Sequence, residues 1–490
     1  MATRLVEAPG RVRPLLTPFL PLVHPLDALS KVERDPNVLF LDSGGSLGDG
    51  AGWTLLAFDP VWRLELRDGV LWRIAGEEAG PIAGDPVEAL AHLWPSRFAY
   101  EWPSDLIRED PWLLPPFVSG LAGFVSYDFK DHLERYPQRA RRESRVPDLS
   151  LAFYDVVWAW SPSGIGVVVS SGLPERDAGV REERAEARLR EQWERILGPG
   201  TPVDAPRLPN RRGELRITSN FTREAYCRVV ERALEHIAAG DIYQVNLAQQ
   251  FRIEPAPDAP ALYRALREAS PAPFASFLTT EDAAIVSSSP ERFFEVRGDR
   301  IETWPIKGTR PRGATKEEDQ AYALALAVSS KDRAENVMIV DLERNDLGRI
   351  CEVGSVHVPA LCEVERYANV HHLVSRVAGT LRADAGPTEI LRAMFPGGSI
   401  TGAPKIRAVE IIDELEPTRR GAYTGAIGYW DVSGDCDFNI AIRTIVVEGG
   451  AATFHVGGGI VADSTPEGEY EETLVKARGM MRALGSTRAG

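Results

Sequence analysis

The chain of 490 residues is 44% hydrophobic, 26% charged and 8% aromatic, the proportions of a folded globular protein, which excludes disorder, collagen and a disulfide-framework scaffold. Its 56 Lys and Arg against 71 Asp and Glu leave a formal charge of −15. That field repels phosphate backbones and anionic lipid, so no nucleic acid or membrane partner is expected, and an anionic substrate needs locally placed cations or a metal ion.

Near the N-terminus, Pro14, Pro18, Pro21 and Pro25 interrupt the apolar residues, so no signal-peptide core forms. No apolar run reaches the ~18 residues of a membrane helix. Cys227, Cys351, Cys362 and Cys436 are scattered without a C-x-x-C pair and read as reduced thiols, which implies the cytoplasm. Up to about residue 200 the chain reads as short alternating runs, 53–58, 62–66, 120–127 and 164–170, broken by Gly, Pro and Asp as antiparallel strands are. An irregular Pro-, Trp- and Asp-rich stretch reaches Pro116. The charged segment 174–197 then places Val180, Ala185, Leu189, Trp193 and Ile196 at helical spacing.

Gly198-Pro199-Gly200-Thr201-Pro202, continuing through Pro206 and Pro209 to Gly213, marks a linker. It divides the chain into an N-terminal region, 1–200, and a second region, 214–488. Beyond it, 222–239 puts Tyr226, Val229, Val230, Ala233, Leu234 and Ile237 on one helical face. The run 242–251 alternates Tyr243, Val245, Leu247 and Phe251 against Gln244, Asn246, Ala248 and Gln250, a strand with one amide-lined face. Further helices are expected at 316–328, 332–346, 404–415 and 469–484, and strands at 284–288, 293–296, 425–429, 439–447 and 452–456. No fixed-period repeat occurs.

Several segments could carry chemistry. Glu469, Glu472 and Lys476 follow one another at spacings of three and four, and Asp332 and Glu335 open another helix at spacing three. Alone, either is an ordinary solvated acidic face; facing each other, the two could hold a magnesium ion, which takes one or two carboxylates plus water and substrate oxygens. The small-residue run from Phe395-Pro396-Gly397-Gly398-Ser399 to Thr401 and Pro404 could present bare amides to an anion, or be a simple capped turn. The triplet Gly457-Gly458-Gly459 after a strand reads as a cradle or as a bulge. Lys307 interrupts an apolar, turn-forming stretch; by itself it reads as a surface lysine, and desolvated it would be a base or nucleophile. His372, in a run that enters the core, reads as a satisfied core histidine. Zinc-site, serine-hydrolase and glutaminase patterns are absent.

Gly240-Asp241-Ile242-Tyr243-Gln244-Val245-Asn246-Leu247, Ser288-Ser289-Pro290-Glu291, the Lys307 segment, 331–336, 341–349, 398–405 and 469–476 together resemble the chorismate-utilising enzymes, the family of component I of aminodeoxychorismate synthase and of anthranilate synthase. The resemblance covers nearly the whole chain, with its motifs in the family's order. It implies an α+β fold, a large sandwich of two intertwined antiparallel sheets with outer helices. It implies Mg2+ held by Glu335 and Glu472, with Asp332 and Glu469 at flanking acidic positions, and chorismate bound through its ring carboxylate to that ion. By the same resemblance Tyr423, Arg443 and the Gly457 amide, with Gly458 beside it, grip the enolpyruvyl carboxylate. Thr401 and Lys476 lie near the two acid groups, His372 lies beside the ring, and Glu291 is the general acid for the C4 hydroxyl.

Two positions separate the branches of the family. Water-adding relatives carry a lysine base where this chain has Gln244, and a neutral amide cannot deprotonate water. Anthranilate synthases have alanine where this chain has Lys307. The lysine implies attack of its amine on C2, loss of the C4 hydroxyl, and 4-amino-4-deoxychorismate as product for folate synthesis. Anthranilate formation is the alternative, and a catalytically silent amino-acid-binding paralogue is the rival from another class. Ammonia is expected from a separate glutamine amidotransferase subunit, and loss of pyruvate from another enzyme. Leu41-Asp42-Ser43-Gly44-Gly45 resembles the strand and turn that forms a tryptophan pocket in relatives. Asp42 replaces the usual glutamate, residues 52–60 depart from the Arg-Tyr-Ser pattern, and a plain turn at Ser43 explains the residues as well.

Overall fold

In a computed structural model, described over residues 10–19, 23–43, 52–94, 97–102, 114–198, 215–367 and 370–485, the most apolar strands are buried on both faces. Leu149, Leu151 and Phe153 of strand Leu149–Tyr154 point into one core cluster and Ala152 and Tyr154 into another. Strand Val156–Trp160 divides likewise, with Val156, Trp158 and Trp160 outward against helices and Val157 and Ala159 inward. Covering both faces removes the polar alternation and leaves nearly continuous apolar runs.

Those strands belong to two 12-stranded sheets, in which every described pairing is antiparallel. The α+β, two-sheet architecture expected from the sequence is present. Each sheet joins strands from both ends of the chain: Gly120–Val125 pairs with Ala426–Asp431 in one, and Leu39–Asp42 pairs with Phe274–Thr279 in the other. One core cluster, including Phe124, Tyr154, Val157, Ile285 and Ile427, lies between the sheets. Helices cover the outsides: Pro466–Ala483 buries Ala477, Met480 and Met481 against Phe251 and Phe454, while Arg223–Ala238 and Lys405–Leu415 cover Val245, Leu247 and Ile460.

Helix ends follow capping chemistry. Thr222 accepts from the Ala225 amide and starts Arg223–Ala238, and Thr315 with Glu318 forms a reciprocal capping box on Lys316–Ala327. Asp177 caps Ala178–Leu197, so that helix begins four residues later than 174. The linker from Pro199 to Gly213 and the turn residues Gly44 and Gly45 lie outside the described residues.

Three expectations need correction. The run 439–447 is two strands: Cys436–Ile440 lies in one sheet and Thr444–Glu448 in the other, and the chain crosses between them at Ala441–Arg443, where Arg443 has φ 51°. Apolar alternation persists through such a crossing, so periodicity alone cannot reveal it. Tyr243 is not on the buried face of its strand; the strand begins at Gln244 and Tyr243 is 72% exposed. The triplet Gly457-Gly458-Gly459 does not follow its strand and is not a bulge, because strand Ala451–Ile460 runs through it in unbroken register with Ala248, Leu247 and Asn246. No helix among the described residues is long and apolar enough to cross a membrane, and all four cysteines are free thiols.

Candidate functional site

Lys307 lies on the edge strand Ile306–Pro311, which pairs with Val370–Thr380 so that Thr309 stands opposite His372. A register shift between Lys307 and Thr309 accommodates Gly308 at φ 79°, where a side chain would also collide with Asp332 and Leu326. Lys307 Nζ donates to the Ser399 carbonyl at 3.2 Å, and Asn246 Nδ2 donates to the same oxygen at 2.6 Å. The small-residue run therefore gives a carbonyl to the lysine rather than amides alone. It forms a short 3-10 turn, Gly398–Ile400, and a bridge to Gln244 and Val245, and helix Lys405–Leu415 begins just after Pro404. Thr401 is fully buried and donates its hydroxyl to the Gly397 carbonyl at 2.8 Å, which braces the turn.

Burial holds Lys307 below the usual lysine pKa and Lys476 adds to the effect, while Glu335, Glu291 and Glu472 oppose it. Glu291 is 5% exposed and burial raises its pKa, against the Ser399 hydroxyl, Lys307 and the Ile306 amide. The Ser399 hydroxyl and Glu291 Oε1 form no well-aligned bond to each other, and both atoms lack a partner. Arg443, in the crossing between sheets, is desolvated and stabilised by Glu291. Its charge and burial push His372 down to about 3, burial being the larger cause, so the ring is neutral at physiological pH. His372 Nδ1 bonds Thr309 Oγ1 at 3.0 Å, leaving a buried Nε2 with no partner. Gln244 is fully buried with neither amide atom paired.

Such atoms are rare in folded proteins. Here Gln244, Glu291, His372, Ser399 and Glu469 each contribute at least one.

On the C-terminal helix, Lys476 Nζ donates to the Gly457 carbonyl at 2.9 Å and pairs with Glu472 Oε1 at 2.8 Å. Glu472's partial burial favours its neutral form, but Lys476, Lys307 and Lys331 together hold its pKa below the usual value. Glu469 is 7% exposed; Ser464 donates to one of its oxygens at 2.6 Å and the other has no partner. Burial raises Glu469 and Glu335 above the usual carboxylate range. A Cβ on Gly458 would lie 3.0 Å from Glu469 Oε2 and 3.4 Å from Glu472 Oε1, and one on Gly459 2.9 Å from Asn246 Oδ1, so the glycines allow these polar groups to approach the strand.

Glu472 lies close enough to Glu335, on helix Ser330–Gly348, to raise its proton affinity. Asp332, one turn earlier on the same helix, is bound to Arg310 at 2.8 Å. Among the described residues no three acidic, His or Cys side chains stand together as a self-sufficient metal site. The hard oxygen donors and the unpartnered Glu469 Oε2 fit a magnesium ion that completes its shell with water and substrate oxygens.

Behind the turn lies a network with no sequence assignment. Arg420 and Glu416, 2% and 3% exposed, pair at 2.7 Å; Arg420 also donates to the carbonyls of Ile400 and Asn246, and Glu416 accepts the Ala248 amide. Arg420 lies over Tyr423, whose ring stacks on His455 at 5.2 Å. The spacing of four on one short segment was the only available signal. Asp42 is bound to Tyr263, Arg267 and Thr54, none of which joins the Lys307 group, and Ser43 is buried beside it.

Two large antiparallel sheets thus carry a cluster of buried lysine and carboxyl side chains around the Gly398–Ile400 turn. The chain belongs to the chorismate binding enzyme family, whose model matches residues 51–482. It is 37% identical over 440 residues to aminodeoxychorismate synthase component 1 of Bacillus subtilis (strain 168), covering 89% of this chain and 90% of that protein. It is 38% identical over 483 residues to anthranilate synthase component 1 of Thermus thermophilus, covering 98% and 99% respectively. The crystal structure of anthranilate synthase component I from Streptococcus pneumoniae TIGR4 matches with a TM-score of 0.75 at 32% identity, covering 88% of this chain and 92% of that one. The two activities are thus represented at near-equal identity.

Proposed function

We propose that the chain is the chorismate-converting component of an aminodeoxychorismate synthase, with Lys307 as nucleophile. The carrying observation is the placement of Lys307 Nζ against the Ser399 carbonyl, with Glu291, Glu335 and Glu472 close enough to act on its charge. Burial favours the neutral amine that nucleophilic attack needs. Gln244, a neutral amide too weakly basic to accept a proton from water, is unsuited to activating it.

In this reading the neutral Lys307 amine bonds to C2 of chorismate as both conjugated ring double bonds shift and the C4–O bond breaks, and the new C2–N group gives up a proton to solvent. Glu291 gives its proton to the departing hydroxyl, which leaves as water. Ammonia then adds at C4, both double bonds shift back, and the C2–N bond to Lys307 breaks as a proton lost by the added ammonia is balanced by one taken up by the leaving amine, releasing 4-amino-4-deoxychorismate and the lysine. Arg443 and Tyr423, with the Gly457 and Gly458 backbone, hold the enolpyruvyl carboxylate; Lys476 and Thr401 lie by the acid groups, and neutral His372 packs at the ring. Glu335 and Glu472, flanked by Glu469 and Asp332, would hold Mg2+, which supplies charge to bind the ring carboxylate. Residues 214–488 would carry this chemistry, with ammonia delivered by a separate glutamine amidotransferase and the product used for 4-aminobenzoate and folate. Tryptophan at Asp42 and Ser43 would be held by groups other than the Asp42 carboxylate, which Tyr263 and Arg267 engage.

The test is incubation of the chain with chorismate, magnesium and an ammonium salt, with the product identified by mass spectrometry. Aminodeoxychorismate, converted to 4-aminobenzoate by an added lyase, supports the proposal. Fluorescent anthranilate contradicts it and makes Lys307 a bystander.

A further inference from the structure

The carbonyl oxygen that receives Lys307 has a second donor. Asn246 Nδ2 reaches the Ser399 oxygen at 2.6 Å, against 3.2 Å from Lys307 Nζ. Ser399 is 4% exposed, so its carbonyl depends on protein donors. The turn is fixed one carbonyl at a time. Asn246 holds Ser399 through its side chain and Thr401 through its backbone amide at 2.8 Å, while Arg420 Nη1 takes the Ile400 carbonyl between them at 3.0 Å. Asn246 is itself held in place: Arg420 Nη2 donates to its carbonyl at 2.9 Å, and it stands opposite Gly459, where a Cβ would lie 2.9 Å from Asn246 Oδ1. The peptide that meets the lysine is therefore oriented by Asn246 and Arg420, without help from the lysine.

An amine that acts as a nucleophile must turn its lone pair onto carbon, and a bond to a backbone carbonyl resists that movement. How strongly it resists depends on what the amine leaves behind. A buried carbonyl that loses its last donor is destabilised by its full desolvation, whereas one that keeps a second donor is not. A carbonyl oxygen has two lone pairs, so the Ser399 oxygen can serve Asn246 and Lys307 together and keep Asn246 when Lys307 departs.

We propose that Asn246 is a positioning residue for Lys307: it aims the Ser399 carbonyl at which the amine rests, and it remains that carbonyl's partner when the amine moves off, so that Lys307 is oriented without being trapped. Asn246 acts through the Ser399 peptide and has no part in the bond-making itself. The catalytic consequence rests on Lys307 being the nucleophile; the release of the amine from Ser399 does not.

Asn246→Leu keeps the branched shape and removes the donor, which leaves Lys307 as the remaining side-chain donor to the Ser399 oxygen among the described residues. Reductive methylation of the full chain with formaldehyde and a mild borohydride, without chorismate, followed by peptide mapping, reads how readily the amine leaves the carbonyl. The rate is taken on the alkaline plateau, where it no longer changes with pH. Asn246→Leu should slow methylation of Lys307 by about 10–100-fold, the scale of stranding a buried acceptor, while the exposed Lys331 reacts as before. An unchanged or faster rate at Lys307 overturns the proposal. Should Asn246→Leu fail to fold, Asn246→Asp keeps the size and offers no donor when ionised; it should also slow Lys307, and a wild-type rate overturns the proposal. With chorismate and magnesium, the rate of adduct formation on Lys307 should fall by the same factor in Asn246→Leu while chorismate affinity by calorimetry is unchanged. Affinity lost together with rate would mean a merely structural role and also overturns it. A wild-type chain that forms no adduct defeats the nucleophile reading alone, because the methylation result needs neither substrate nor turnover.

Discussion

Lys307 Nζ stands 3.2 Å from the carbonyl oxygen of Ser399, a contact that ties the edge strand to the Gly398–Ile400 turn and aims the amine into the space shared by Glu291, Glu335 and Glu472. Replacing Lys307 with alanine removes the proposed nucleophile while leaving the carboxyls and Arg443 in place. Lys307→Ala should retain magnesium-dependent chorismate binding by calorimetry and lose the 4-amino product. A variant that makes that product at the wild-type rate contradicts the covalent step.

Glu291→Gln keeps size and burial but has no acid proton. Turnover should fall by about 10²–10⁴-fold, the usual contribution of a positioned acid, with the melting temperature little changed. The pH dependence has a defined sign. Activity rises as Lys307 becomes neutral, through a pKa that burial has lowered, and falls as Glu291 ionises, through a pKa that burial has raised. At constant free ammonia the profile of the wild-type chain should be bell-shaped, and a rate that only rises with pH contradicts this assignment.

Gly458 leaves space beside Glu469 and Glu472 that a methyl group would fill. Gly458→Ala and Glu472→Gln should each raise the magnesium concentration for half-maximal activity by about 10–100-fold, the scale seen when the surroundings of a metal site are disturbed. Calorimetry with Mg2+ and chorismate together measures it directly. An unchanged magnesium requirement in Glu472→Gln would remove that residue from the metal site.

The Arg420–Glu416 pair is buried on both sides and braces Ile400 and Asn246. Arg420→Met leaves a carboxylate buried without its cation, and should cost about 3–5 kcal/mol in urea unfolding. Arg420→Met combined with Glu416→Gln should recover part of that loss, because the uncompensated charge is gone. Equal destabilisation by the single and double variants would show that packing, not charge, dominates.

Much of the fold was legible because local chemistry agrees with it. Thr222 marks a helix start, apolar runs mark strands covered on both faces, and the glycine at 240 marks a helix end. What periodicity could not reveal was the crossing at Arg443, where an apolar run leaves one sheet and enters the other, or that the three glycines continue a strand whose neighbours crowd it. Within the site, Lys307, Glu291, His372, Glu335 and Glu472 were singled out through the resemblance; from their own segments Lys307, Glu335 and Glu472 read more simply as surface and His372 as core. Ser399 as the partner of Lys307 and Arg420 behind the turn depend on long-range packing, for which sequence spacing carries no signal.

The most direct measurement is the intact mass of the chain after brief exposure to chorismate and magnesium without ammonium, followed by peptide mapping. The account predicts an adduct of chorismate less one water on Lys307, which disappears when ammonium is added as aminodeoxychorismate is released. An unmodified Lys307 under conditions in which chorismate and ammonium are turned over, with anthranilate as the product, would contradict it.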